Sequence, residues 1–200
     1  MKMNILRVFC AVLFVSASAS GQTPNARASL AAELRNISSY AKRVDQFIKR
    51  NPKTLRIFAN VASGTSNAPD EWRAFKSEDE RQNADTGENL NENANVWSRA
   101  GKVVGVNFTF QSPSRDWAHF VMYYFREDGT RAKIQSRLNT FYGDMTVIRD
   151  KFYDANGRLL RTTKRCFDLK SQKPKVCADF TDEPIPTFPS VQSLPFYKSL

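Results

Sequence analysis

The chain holds one histidine, His119, three residues after Asp116 in a run with strand character. Positions three apart on a strand face opposite sides. A triad needs a base held against a nucleophile, and no Gly-x-Ser-x-Gly elbow is present to supply one. A zinc site built on imidazole draws on several His or Cys ligands. His119 therefore reads as structural, with no catalytic residue, metal or cofactor assigned. Asp116, Asp144, Asp150 and Asp154 lie near turns and could supply the carboxylate pair of a polymer-cleaving hydrolase, which needs two acids roughly 5–10 Å apart. The acidic stretch before Glu92 lacks calcium-loop spacing, and no Gly-rich phosphate loop occurs.

Basic residues crowd at Arg158, Arg161, Lys164, Arg165, Lys170, Lys173 and Lys175, around Cys166 and Cys177. Such a patch concentrates anionic partners and loses strength in salt. The bland alternative is a solvated strand face. The acids are segregated: from Asp70 to Glu92 eight acids face three bases, a net of −5 in a chain of net charge +10. Of the three cysteines, Cys10 lies in the N-terminal apolar run. Cys166 and Cys177 are an even pair, expected to form one disulfide in an oxidising compartment.

That compartment is suggested by the first residues. Lys2 and Arg7 precede an apolar run from Val8 to Val15, and small residues follow through Gly21. Charge, short apolar core and small residues in that order are the layout of a cleavable signal peptide over residues 1–21. The apolar core is shorter than the roughly 20 residues that cross a bilayer. Export to a periplasmic or extracellular space follows as an expectation. Removing Lys2 and Arg7 lowers the net charge from +10 to +8, and the remaining 22–200 suits one domain. In that setting the anionic partner would be lipid, acidic glycan or an envelope protein rather than nucleic acid. Two sequons, at Asn36 and Asn107, matter only in a eukaryotic secretory route.

The elements that would carry these residues change character along the chain. Leu30, Leu34, Ile37, Ala41, Val44 and Ile48 fall on one stripe at steps of four and three, predicting an amphipathic helix over 26–51 that stops before Pro52. The stripe reads as core-facing; a coiled-coil partner or a membrane surface are the other readings of it. Lys53 to Val61 is ambiguous between strand and helical turn. Residues 64–95 read as turn, a short acid-rich helix carrying Trp72 and Phe75, and an exposed loop from Asn83 to Asn95.

Beyond Asn95 the period becomes two: Val104, Val106, Phe108 and Phe110 alternate with small or polar residues, and Trp117 to Phe125 is a second such run. Gly101, Gly129 and Gly157 recur at one constant interval, and Trp97, Phe125 and Tyr153 each stand four positions before them. One hairpin and its return fill about that length. Three units over 96–169 predict a six-stranded antiparallel meander, hence an α+β fold with the N-terminal helix on one face. The tail, 170–200, holds Pro184, Pro186, Pro189 and Pro195, which disfavour a central strand; it would seal a sheet edge or offer a docking peptide.

The segment YDANGRLL, through Tyr153, Asp154, Gly157 and Leu159, resembles the hairpins of YD-type and MORN-like repeat proteins. That resemblance implies hairpin geometry and no activity. More broadly the chain looks like uncharacterised exported bacterial proteins. The expected function is a non-enzymatic binding or envelope-associated module for an anionic or lipidic ligand, with Phe108, Phe110, Phe120 and Tyr124 lining a pocket and Arg158, Arg161 and Lys164 supplying charge. A hydrolase acting on envelope polymer is one alternative; a structural or assembly protein using the helix is the other.

Overall fold

The computed structural model describes residues 24–62, 69–88, 90–178 and 186–200; the signal-peptide assignment lies outside them. Helix α1 (Pro24–Arg50) is followed by a short 3-10 turn at Pro52–Thr54, and strands β1 (Leu55–Asn60) and β2 (Trp72–Phe75). Helix α2 (Glu78–Glu88) then precedes β3 (Glu92–Arg99), β4 (Lys102–Gln111), β5 (Trp117–Phe125), β6 (Arg131–Thr140), β7 (Met145–Tyr153), β8 (Leu159–Asp168) and the two-residue β9 (Pro174–Lys175). All nine strands join one antiparallel sheet in the order β2-β1-β3-β4-β5-β6-β7-β8-β9. The predicted six strands are β3–β8. Three more flank them, so the count of six is corrected to nine.

Two further expectations change. Trp72 and Phe75 lie on a strand, not a helix: Trp72 pairs with Asn60 and Phe75 with Ile57. The acidic helix begins after them and runs to Glu88, through residues expected to be loop. Its first turn carries Glu78, Asp79 and Glu80, where acids complement the positive helix end.

The glycine corners behave as the spacing predicts. Gly101, Gly129 and Gly157 all have positive φ, 75°, 83° and 79°, a region open to glycine at little cost. They turn β3 into β4, β5 into β6 and β7 into β8, so all three corners share one end of the sheet. The last two corners are matched bond for bond. Arg126 N–H donates to Thr130 O and Gly129 N–H to Arg126 O; one repeat later, Asp154 N–H donates to Arg158 O and Gly157 N–H to Asp154 O. The first corner is tighter, a two-residue turn with Ala100 also at positive φ.

That missing residue shifts the repeat. Each hairpin has a bulge, between Trp97 and Ser98, between Tyr124 and Phe125, and between Phe152 and Tyr153. Structural equivalents before the turn are thus Trp97, Tyr124 and Phe152, rather than the Trp97, Phe125 and Tyr153 of the sequence alignment. After the turn the constant spacing holds: opposite them stand Gly105, Lys133 and Arg161.

The sheet has two covered faces. On one, Phe58, Val106, Phe108, Val121, Tyr123, Phe125 and Tyr153 form the main core. The C-terminal tail covers it: Val191, Leu194 and Phe196 are buried there, with Phe188 against them. Phe196 stacks on Phe58 at 4.4 Å and Phe188 on Phe108 at 5.1 Å. The tail is held by backbone as well, Arg131 N–H to Pro189 O and Val191 N–H to Gly129 O. The Tyr123 hydroxyl donates to Pro186 O. Arg56 holds the last two residues, donating to Ser199 O at 2.5 Å and Leu200 O at 2.6 Å. The tail seals a face, not an edge, because its aromatics need a broad apolar surface that a strand edge does not offer.

The other face takes α1. Ala41 and Val44 pack on Val104 and Tyr124, with Tyr40, Phe47, Ile48 and Met122 around them. A methyl group on Gly105 would meet Met122 Cε at 2.7 Å and Ile48 Cδ1 at 3.3 Å, so the glycine lets the helix approach the sheet closely. Helix α2 adds a satellite cluster on Ile57, Ala59, Phe75 and Leu90. Cys166 and Cys177 form the expected disulfide, with Cα atoms 5.3 Å apart. It ties the strand β8 to the segment that leads into the tail.

Candidate binding groove

Alternation divides the residues expected to bind a ligand between the two faces. Phe108 and Phe110 point to the tail face, where Phe108 is fully buried and stacked on Phe110 at 5.8 Å. Phe120 and Tyr124 point to the helix face: Phe120 pairs with Thr109, one position out of phase with Phe108, and Tyr124 lies in the helix cluster. The four aromatics therefore do not line one pocket. The space in front of Phe108 is filled by Phe188, Phe196, Tyr123 and Trp72. The basic residues divide as well. Arg161, paired with Phe152, is on the helix face, and Lys164, paired with Arg149, on the tail face. Arg158 sits at the corner, its Nε 3.0 Å from Asp154 Oδ2.

Asp154 has a turn-building role. It accepts the backbone N–H of Arg158, which with the Arg158 guanidinium and the Asn156 N–H holds its carboxyl below the usual range. Asp116 accepts from Ser114, and Asp144 occupies the positive-φ end of the β6–β7 turn. Asp150 is buried and ion-paired. Among the described residues no group of three or more His, Cys, Asp or Glu is placed to hold a metal ion. His119 is buried between Phe110 and Leu138 on the tail face. Burial, then the charge of Arg149, lowers its pKa from 6.5 to about 4.

On the helix face the three repeat units present Trp97, Tyr124 and Phe152 opposite Gly105, Lys133 and Arg161, and α1 crosses them in turn. Over the first unit Ile48 and Val44 close on Gly105. Over the second, Tyr124 donates to Asp45 Oδ1 at 2.9 Å. Lys133 is partly buried there against the rings of Tyr124 and Phe152, at 5.6 Å and 5.3 Å from their centroids. Its ammonium pairs with Asp150 Oδ1 at 2.7 Å, and Gln135 Nε2 donates to the same oxygen at 2.9 Å. Burial pushes the Asp150 carboxyl up. The hydrogen bonds from Lys133 and Gln135 and the charges of Lys133 and Arg165 outweigh it, and the net direction is down. Thr163 and Arg165 face the second oxygen at 3.5 Å and 3.4 Å.

Over the third unit the helix does not close. A groove of about 630 Å³ lies between the N-terminal half of α1 and strands β7 and β8. Ala31, Leu34 and Phe152 make its apolar walls; Ser38, Ser39 and Thr163 bring hydroxyls; Arg35 and Arg161 bring the two cations. Phe152 and Thr163 each also touch the Lys133–Asp150 pair, so the groove floor rests on a fixed, internally neutralised site. No acid lines it.

Of the expected ligand residues the groove contains Arg161 alone. Sequence reasoning missed Arg35, Ser38, Ser39, Phe152 and Thr163. The repeat carries a signal for the strand β8 pair, since Arg161 and Thr163 stand one repeat interval after Lys133 and Gln135. The helix residues carry none, because they border the apolar stripe and read as ordinary solvent positions.

Fold and groove together define an antiparallel hairpin sheet clasped between a helix and a tail. No protein-family model matches this chain, and neither a curated protein nor a solved structure aligns with it significantly. Among the described residues no helix is long and apolar enough to cross a membrane. Together with the disulfide, this is compatible with an exported protein.

Proposed function

We propose that this protein is an exported, non-enzymatic binding module that holds an anionic amphiphile in the groove between α1 and the β7–β8 hairpin. The observation that carries the reading is the pairing of apolar walls with Arg35 and Arg161 in a groove that no acid lines. Its volume lies within the range of about 300–1,000 Å³ common for small-molecule sites. A single acyl chain would lie against Leu34, Ala31 and Phe152, with its carboxylate or phosphate between the two guanidinium groups. Arginine suits that task because its planar fork matches either head group.

Titration calorimetry of the processed chain with a medium-chain fatty acid and its uncharged alcohol tests this. The acid binds and the alcohol binds at least about tenfold more weakly, as expected for loss of a charge-assisted contact. Arg161→Glu abolishes the preference while leaving the melting temperature near that of the parent. Equal affinity for acid and alcohol, or no heat with either, refutes the reading.

A further inference from the structure

We infer that the joined β6–β7 and β8–β9 loops, on the β7–β9 side of the sheet end opposite the glycine corners, dock on an anionic lipid surface. The inference is independent of what fills the groove. The observation is a concentration of exposed apolar side chains on two joined loops. Among the described residues five large hydrophobics are exposed, and three of them are here: Phe141 at 65% and Tyr142 at 69% on the β6–β7 turn, and Val176 at 89% just beyond β9. The loops are joined to one another. Lys175 Nζ donates to Gly143 O at 2.7 Å, Leu169 N–H donates to Asp144 O, and the Cys166–Cys177 bond closes the β8–β9 loop.

Rigid presentation matters because an exposed ring costs free energy in water unless something covers it. Nothing in the fold requires Phe141 outside: its N–H is satisfied by Asp116 O and the turn by Asp144 N–H to Phe141 O. The charges around the rings select the surface. On and beside these two loops Arg115, Arg137, Lys170, Lys173 and Lys175 stand against Asp116, Asp144 and Asp168, five cations to three acids, while Asp70, Glu71 and Glu92 of the same sheet end gather around Asn60 on the β1–β3 side, beyond β4 and β5. One of those acids, Asp168, is already engaged by Ser171 and lies 4.0 Å from Lys175. Aromatic rings flanked by lysines suit the boundary between head groups and acyl chains, where rings insert and ammonium groups meet phosphates. These two loops set against the same loops of a second copy would bring like charges together, which disfavours self-association through them.

Co-sedimentation of the processed chain with phosphatidylglycerol–phosphatidylcholine vesicles, and with phosphatidylcholine vesicles alone, decides the matter. The protein sediments with the first at low salt, is released as salt rises, and stays in solution with the second. Phe141→Ser with Tyr142→Ser lowers the partition coefficient about tenfold, and Lys170→Glu with Lys173→Glu does the same, both with unchanged melting temperature. Arg161→Glu, which lies at the groove, leaves sedimentation unchanged. Equal binding to neutral vesicles, parental binding by both double variants, loss of binding only with Arg161→Glu, or no binding to either vesicle overturns the inference. If the exposed patch instead serves a protein partner, vesicles fail to sediment the parent chain, and the inference falls.

Discussion

The two faces of the sheet are built from the same hairpins and solve opposite problems. The tail face is mainly aromatic, though it also buries His119 and Arg131: Phe58, Phe108 and Tyr123 are covered by the chain's own Phe188 and Phe196, ring against ring. The helix face is mixed. It buries a Lys–Asp pair and a Tyr–Asp hydrogen bond beneath α1, and it leaves its third unit open. The tail sets its own rings against those aromatics, so the space in front of Phe108 is filled. A rigid helix touches three similar units along a straight line and fits the first two best. A straight rod cannot follow every strand of a sheet that twists, and the gap is wider over the third unit, about 630 Å³, than beside Trp97 and Tyr124, about 300 Å³.

The sharpest test of the contrast is Phe108→Ala. The ring is fully buried and touches Phe110, Tyr123, Phe188, Phe196 and Trp72, so its loss should cost about 4 kcal/mol in urea unfolding. Fatty-acid affinity of the folded fraction should be unaffected. On the helix face Asp150→Ala strands the Lys133 ammonium in a site where its side chain is 11% exposed. Removing one partner of a buried pair costs roughly 3 kcal/mol or more. Replacing both, with Lys133→Met and Asp150→Leu, should recover most of that, as apolar substitutes for buried pairs often do. A double variant no more stable than Asp150→Ala would show that the pair is not what holds the groove floor.

The pH dependence separates the faces again. The folded-state pKa of His119 is depressed from 6.5 to about 4 by burial. Between those values the unfolded chain takes up a proton that the folded chain refuses, so stability rises with pH. Unfolding free energy should thus be insensitive to His119 above pH 7, fall by roughly 3 kcal/mol as pH drops from 6.5 to 4, and level off below. Asp150 acts in a lower window. Its folded pKa is lowered from 3.8, so its contribution is present above that value and is lost as pH falls through the folded pKa. His119→Gln should erase the upper slope and leave the lower one. A slope between pH 6.5 and 4 that survives in His119→Gln would assign it to other groups.

Much of this architecture was legible because periodicity is a backbone property. The apolar stripe from Leu30 to Ile48 marks the helix, and the corner glycines mark three hairpins, since the left-handed φ of a tight corner admits few other residues. Pairing at the edges was not legible. Trp72–Phe75 is only four residues long, too short for a period, and with Pro69 ahead of it and acids around it the segment reads as a short helix. Nor could a period assign faces across hairpins of unequal turn length. One residue fewer at Ala100–Gly101 moves Trp97 into register with Tyr124 and Phe152, and a one-residue slip exchanges the faces. For the same reason Phe108 and Tyr124 looked like neighbours and are on opposite sides.

The corner glycines belong to neither face, and their substitution should have the smallest effect while still being measurable. At Gly157 an added Cβ would meet nothing within 4 Å, so the cost is purely the φ of 79°. An alanine held in that left-handed region costs about 1 kcal/mol. Asparagine, which tolerates it better, should cost less than alanine, and valine, branched at Cβ, more. Gly129 shares the φ but faces Gln192 and Val191 of the tail at 3.5 Å and 3.8 Å. The same series there should keep the ranking and add a penalty that grows with side-chain size, because only that corner is roofed by the tail. Urea midpoints for the two series would show it. Identical costs at 129 and 157 would mean that the tail does not press on the corner, and that the aromatic face is sealed less firmly than its stacked rings imply.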